Sequence, residues 1–227
     1  MKALVVSDIH LGSPLVDKKV QLMNLLEYNE YDVIILNGDI FDIWEKSFKQ
    51  ILLDNIDFVK LLHKISAEKK LYFILGNHDP HQLEIEKMFP NMIVGKNLTI
   101  FDDILIVHGD EFDDLVTKYS WFAKLIFIPH WICQRVFNWN LKATFREFFY
   151  SISNKKNKQY FNKLVGDIEE AAVEKYKNEC NYLIMGHTHT PKLVKREECT
   201  YINCGDIIHN DVCVEFDDDK KFKFIGV

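Results

Sequence analysis

A chain of 227 residues, 48% hydrophobic and 27% charged, carries enough apolar content for one sizeable folded core, and its composition excludes a disordered or fibrous chain. A net charge of −6 and a pI near 5.8 exclude nucleic-acid binding by bulk charge, though not by a local basic patch. No apolar run reaches the roughly 18 residues that cross a bilayer. Ser7 and Asp8 interrupt the first apolar run before a signal-peptide core forms, and the five cysteines (133, 180, 199, 204, 213) include no CxxC pair. The expectation is a cytoplasmic chain with reduced thiols.

In chain order, short runs rich in Val, Ile and Leu each end in a polar cluster. Residues 3–6 lead into Ser7-Asp8-Ile9-His10, residues 33–36 into Asn37-Gly38-Asp39, and residues 72–75 into Gly76-Asn77-His78-Asp79. Residues 104–107 lead into His108-Gly109-Asp110, and residues 182–185 into Gly186-His187-Thr188-His189. Such runs read as strands buried on both faces. Apolar residues at helical spacing predict helices over residues 16–28 and about 48–68. Alternating strands and helices predict an α/β fold with parallel strands, whose ligands sit beyond the carboxyl ends of the strands. Every polar cluster falls there. Residues 191–196, 199–203, 211–217 and 221–226 read as further short strands. Residues 110–181 are strand-poor and read as a helical insertion.

The polar clusters carry the chemistry. Asp8 and His10 flank Ile9 just past a strand, so alternation turns both to one side. His187 and His189 repeat that spacing on what reads as an extended segment. Asn77, His78 and His108 stand at other tips, where burial without partners is costly. Asp, His and Asn suit divalent ions such as Mn, Fe or Zn. Seven candidates (Asp8, His10, Asp39, Asn77, His108, His187, His189) are too many for one closed tetrahedral site, and they fit two ions sharing a carboxylate. Asp79 reads as an orienting partner of His78 or as a turn or cap residue. Asp206, in Asn-Cys-Gly-Asp, reads as a turn residue, with a place behind the metal ligands as the other reading.

The ordered blocks SDIH, NGDIFD, GNHD, HGDEFD and GHTH, from residue 7 to residue 189, resemble the calcineurin-like metallophosphoesterases. The resemblance implies a sandwich of two mixed β-sheets flanked by helices over residues 1–227, with a helical, lid-like insertion at about 112–178. It implies a first ion on Asp8, His10 and His189, a second on Asn77, His108 and His187, and Asp39 bridging them. His78 would face substrate, with Asp79 beside it, in a metal-dependent hydrolase of phosphoric esters or anhydrides. The two divalent ions would be Mn, with Fe, Zn or Ni accepted by the same donors.

Residues 118–163 hold ten aromatic side chains from Trp121 to Tyr150. Nine cations there (Lys118, Lys124, Arg135, Lys142, Arg146, Lys155, Lys156, Lys158, Lys163) face one anion, Glu147. The local balance is +8, which leaves −14 on the rest of a chain whose total is −6. A segment both basic and aromatic suits contact with anionic lipid, a greasy cover over a site, or an ordinary helical subdomain. NGDIFDIW, the long insert after HGDEFD, GHTHTP and the late Gly-Asp pair resemble the UDP-2,3-diacylglucosamine pyrophosphatase branch of the family. That resemblance implies a UDP-linked acylated sugar cleaved to UMP and a lipid sugar phosphate, in lipid A biosynthesis, by a protein peripheral to the inner membrane. The chain departs from the branch at His78, where the branch reads Arg, and at Gly12, where it reads Ser. The alternative is a phosphodiesterase or nuclease of the same fold, since aromatics among lysines also suit single-stranded nucleic acid. A metal-free scaffold is the third reading, and seven filled ligand positions speak against it.

Overall fold

In the first strand, β1 (Lys2–Val6), Ala3 and Val5 point to one face and Leu4 and Val6 to the other, and all four are fully buried. A strand apolar on both faces needs cover on both faces. The structure, a computed structural model, supplies it; it describes residues 1–13, 18–28, 30–114 and 155–227. Parallel neighbours β2 (Val33–Asn37), β3 (Lys70–Ile74) and β4 (Ile93–Gly95) extend the sheet on one side of β1. Antiparallel β10 (Val212–Asp217) and β11 (Lys223–Gly226) extend it on the other, giving the order β11-β10-β1-β2-β3-β4. A second sheet contains β5 (Asn97–Ile100), β6 (Ile104–Val107), β7 (Tyr182–Met185), β8 (Lys192–Lys195) and β9 (Thr200–Asn203). Its order is β5-β6-β7-β9-β8, with β6, β7 and β9 parallel. Both sheets are thus mixed.

Two cores follow from the alternation. Ala3, Val5, Val33 and Ile35 meet Ile104, Ile106, Ile184 and Ile202 of the second sheet. Leu4, Val6, Ile34, Leu36 and Phe73 meet helical side chains, among them Leu22 and Leu26 of α1 (Lys19–Tyr28) and Phe58 and Leu62 of α3 (Ile56–Glu68). Each such side chain, fully buried, contributes about 1.5–3 kcal/mol.

The helix expected over 48–68 is two helices. Asn55 leaves helical geometry (φ −125°, ψ 37°) between α2 (Phe48–Asp54) and α3, and its Nδ2 donates to Ile51 O at 2.8 Å. Asn competes for backbone hydrogen bonds in this way, and apolar spacing does not register it. Three elements lie outside the sequence expectation: the half-exposed β4 and β5, which lack a continuous apolar run, and α4 (Gln82–Met88). The last is started by a capping box in which His81 Nδ1 accepts from Leu83 N and Glu84 accepts from His81 N.

Residues Met1–Gly109 with Lys175–Val227 form one unit and Asp110–Glu174 a second. Described residues of the second include a 3-10 turn (Asp110–Phe112) and most of α5 (Lys155–Tyr176). The aromatic residues from Trp121 to Tyr150 and most of the basic residues of the 118–163 segment, read as a lipid contact, a cover over the site or an ordinary helical subdomain, lie outside the described residues. All candidate site residues belong to the first unit.

Candidate metal centre

The loops leaving β1, β2, β3, β6 and β7 at their carboxyl ends converge. Beyond the strands, pairing continues: Asp8 N donates to Gly38 O (3.0 Å), His10 N to Asp39 O (2.9 Å), and Gly186 N to His108 O (3.0 Å). These bonds place Asp8, His10, Asp39, His108, His187 and His189 around one centre. Alternation on an extended chain is not what aims them. Asp8, His10, Asp39, His187 and His189 all have left-handed φ, between 49° and 60°. Asp and His tolerate that region better than most residues, at a cost on the order of 1 kcal/mol each. Five such residues at one locus mark a backbone held in place by its surroundings. Thr188 N donates to Gly186 O at 2.6 Å, so the GHTH segment is a tight turn, where an extended segment was expected.

Two glycines make the approach close enough. A Cβ on Gly38 (φ 77°) would overlap the His108 ring, and one on Gly186 would overlap Ser7 Oγ and crowd Asp8 Oδ2. Only glycine leaves room there.

The ligand atoms form overlapping groups. Asp8, His10 and His189 make one; Asp39, His108 and His187 make another; Asp39 also joins His10 and His78 in a third. His189 Nε2 lies 2.9 Å from Asp8 Oδ1, and His10 Nε2 lies 3.8 Å from both Asp8 Oδ1 and Asp39 Oδ2. Asp39 Oδ2 lies 3.3 Å from His108 Nε2. One oxygen of Asp39 therefore faces both halves of the site. Asn77 sits between Gly76 and His78, whose N–H donates to Asp39 Oδ1 at 2.8 Å. A divalent cation fits these residues. The buried His10 Nε2 and Asn77 Oδ1 have no hydrogen-bond partner, a costly condition unless something else engages them. The ion-pair partners of buried Asp8 and Asp39 are imidazoles, which are exchangeable for metal.

The electrostatics agree. Burial works against charge on His10, but Asp42 and Asp8 outweigh it and raise its pKa to about 10. Asp8 and Asp206 do the same for His189, also to about 10. Burial likewise opposes ionisation of Asp39, yet His108 and His78 hold it down at about 2. In the metal-free protein, charge on His10 and His189 balances the buried carboxylates beside them; divalent ions would displace those protons.

The orienting partner of His78 is Asp42, not Asp79. His78 Nδ1 lies 3.0 Å from Asp42 Oδ1, and Trp44 stacks on the ring with centroids 4.4 Å apart at 22°. Asp79 instead accepts backbone N–H bonds from Asp39 (2.8 Å), Ile40 (3.0 Å), Phe41 (2.9 Å) and Gly76 (2.9 Å). It knits the loop after β2 to the loop after β3, because four N–H groups in that turn need an acceptor. Sequence reasoning passed over Asp42, although an Asp three residues after Asp39 among Ile40, Phe41 and Ile43 carried the signal of a buried carboxylate. Asn203 was missed as well: its Nδ2 donates to Gly186 O and Thr188 Oγ1, each at 2.9 Å, and braces the histidine turn. Asp206 accepts a turn bond from His209 N (2.9 Å) and also lies 3.4 Å from His189 Nδ1.

Buried carboxylates and imidazoles in overlapping groups, at the strand tips of a two-sheet sandwich, define a metal-dependent hydrolase. The family model for calcineurin-like phosphoesterases matches residues 1–191, and the chain belongs to that family. It is accordingly a metal-dependent hydrolase of phosphoric esters or anhydrides. Curated relatives include the UDP-2,3-diacylglucosamine hydrolase of Psychromonas ingrahamii, 27% identical over 97% of this chain and 95% of that protein. The enzyme of the same name from Haemophilus influenzae is 26% identical over 97% of each chain. The crystal structure of a metallophosphoesterase from Sphaerobacter thermophilus shares the fold, with a TM-score of 0.51 at 12% identity over 100% of this chain and 88% of that one.

Proposed function

We propose that this chain hydrolyses the pyrophosphate bond of an acylated, nucleotide-linked sugar such as UDP-2,3-diacylglucosamine, releasing UMP and the lipid sugar phosphate. The observation that carries the hydrolytic reading is Asp39 Oδ2 facing both His10 and His108. The substrate class rests on relatives of that name aligned along nearly the whole chain.

In this reading Asp8, His10 and His189 would hold one ion, Asn77, His108 and His187 would hold a second, and Asp39 would serve both. Two divalent ions, Mn by preference, supply activation of water and neutralisation of phosphoryl charge when bound. The protein's own part is positioning. His78, fixed by Asp42 and Trp44, faces the phosphoryl group and stabilises charge on its oxygens. Asp79 holds the Asp39 loop in the conformation that aims its carboxylate. In this reading the 118–163 segment, basic and aromatic by composition, would supply contacts for acyl chains and anionic headgroups, and the protein would act in the cytoplasm, peripheral to the inner membrane.

His78, where the glycolipid branch reads Arg, favours a second reading: hydrolysis of a smaller, soluble phosphodiester. One experiment separates the two. The purified protein is incubated with Mn, detergent and UDP-2,3-diacylglucosamine, and UMP release is followed beside a generic phosphodiester and an Asp39→Ala variant. UMP release absent from the variant supports the glycolipid reading. Cleavage of the generic diester alone overturns it in favour of the second.

A further inference from the structure

Three imidazoles of the centre share one construction. His10 turns Nε2 inward while Nδ1 lies 3.5 Å from Asp42 Oδ2. His108 turns Nε2 toward Asp39 while Nδ1 lies 3.0 Å from Asn37 O. His189 turns Nε2 toward Asp8 while Nδ1 lies 3.4 Å from Asp206 Oδ2. An oxygen behind Nδ1 selects the tautomer that leaves Nε2 free to ligate.

We propose that Asp206 is a positioning residue of the metal centre, locking His189 for ligation through Nε2; this rests on the two-ion reading above. A turn alone does not explain it. A turn-forming Asp is ordinarily solvated, whereas Asp206 is 0% exposed, and a buried carboxylate is costly unless paired. Its ion-pair partners are His189 and His209. Oδ2 also accepts from His209 N at 2.9 Å, and Oδ1 accepts from Asn210 Nδ2. The same turn grips this half-site twice more: Asn210 Nδ2 also lies 2.9 Å from His189 O, and Ile207 N donates to Asp8 O at 3.3 Å. Residues 206–210 therefore register Asp8 and His189 against each other before any ion arrives.

The test compares wild type, Asp206→Asn and His209→Ala for Mn stoichiometry and affinity by calorimetry, with melting of the metal-free proteins as the folding control. Asn keeps the size of Asp but not its charge, and its single acceptor oxygen cannot serve both Asn210 Nδ2 and the side shared by His209 N and His189 Nδ1. The expected result is two Mn per wild-type chain. In Asp206→Asn one site should weaken about 10–100-fold while the other keeps its affinity. His209→Ala should bind like wild type, because the Asp206–His189 contact remains. Wild-type affinity at both sites of Asp206→Asn overturns the positioning role alone. Fewer than two ions on wild type overturns the two-ion reading and this inference with it. A measurement independent of variant folding is the 15N spectrum of zinc-loaded wild type. His189 ligated through Nε2 with a protonated Nδ1 is expected, and ligation through Nδ1 would sink the proposal.

Discussion

Asp42 divides its two oxygens between two imidazoles: Oδ1 lies 3.0 Å from His78 Nδ1, and Oδ2 lies 3.5 Å from His10 Nδ1. One buried carboxylate thereby sets the orientation of a candidate metal ligand and of the ring stacked beneath Trp44. The two histidines hold it far below the usual carboxylate range, against the opposing effect of burial.

Because both rings depend on it, Asp42→Asn should lower kcat by about 10–100-fold, and His78→Gln by about 100-fold or more. The double variant should lose less than the product of the two, since much of the Asp42 effect passes through His78. Steady-state kinetics of the four proteins measure the coupling; strictly multiplicative losses would show that Asp42 acts only through His10.

Asp39 faces both halves of the centre, so Asp39→Ala should abolish tight binding of both ions, whereas His187→Ala should spare one. Metal analysis after gel filtration reads the difference directly. Activity of Asp39→Ala should fall at least about 10²-fold. Retention of one tight ion by Asp39→Ala would argue that its carboxylate belongs to a single half-site.

The metal-free fold should weaken as pH rises above neutrality. His10 and His189 have folded pKa values near 10 against an ordinary 6.5. A raised pKa means the folded state binds the proton more tightly. The stabilisation is therefore complete below about pH 6.5 and is lost on approach to pH 10. Melting of the chelator-treated protein between pH 6.5 and 10 should show a falling Tm. Mn affinity should move the other way, since ligation expels those protons. A Tm that climbs with pH would contradict the assignment of charge.

Asp79 is predicted to be a structural staple. Asp79→Ala leaves three buried N–H groups and the half-buried one of Gly76 seeking an acceptor and should cost at least about 3 kcal/mol in urea unfolding. Asp79→Asn retains one acceptor oxygen and should fall in between, with kcat reduced only as far as the Asp39 loop loosens. A large fall in kcat at unchanged stability would instead give Asp79 a direct part in the reaction.

Local chemistry was enough to read the strands ending in polar clusters, the parallel pairing among them, and the nine side chains from Asp8 to His189 that stand at the strand tips, though not their division between two mixed sheets. Runs of Val, Ile and Leu and the punctuation that follows them are short-range signals, and the blocks that carry the family resemblance are themselves contiguous. Partnerships were not legible. Nothing local says that Asp42 stands behind His78, that Asp79 serves the backbone of residues 39–41, or that Asp206 lies behind a histidine seventeen residues earlier. The left-handed turns at Asp8, His10, Asp39, His187 and His189 were hidden for the same reason. Their cost is met by hydrogen bonds between neighbouring strand-end loops, such as Asp8 N to Gly38 O and His10 N to Asp39 O. The sequence determined which groups reach the strand tips. Only the tertiary structure decided which atom faces which, because buried carboxylates and imidazoles take the partners that packing brings within reach.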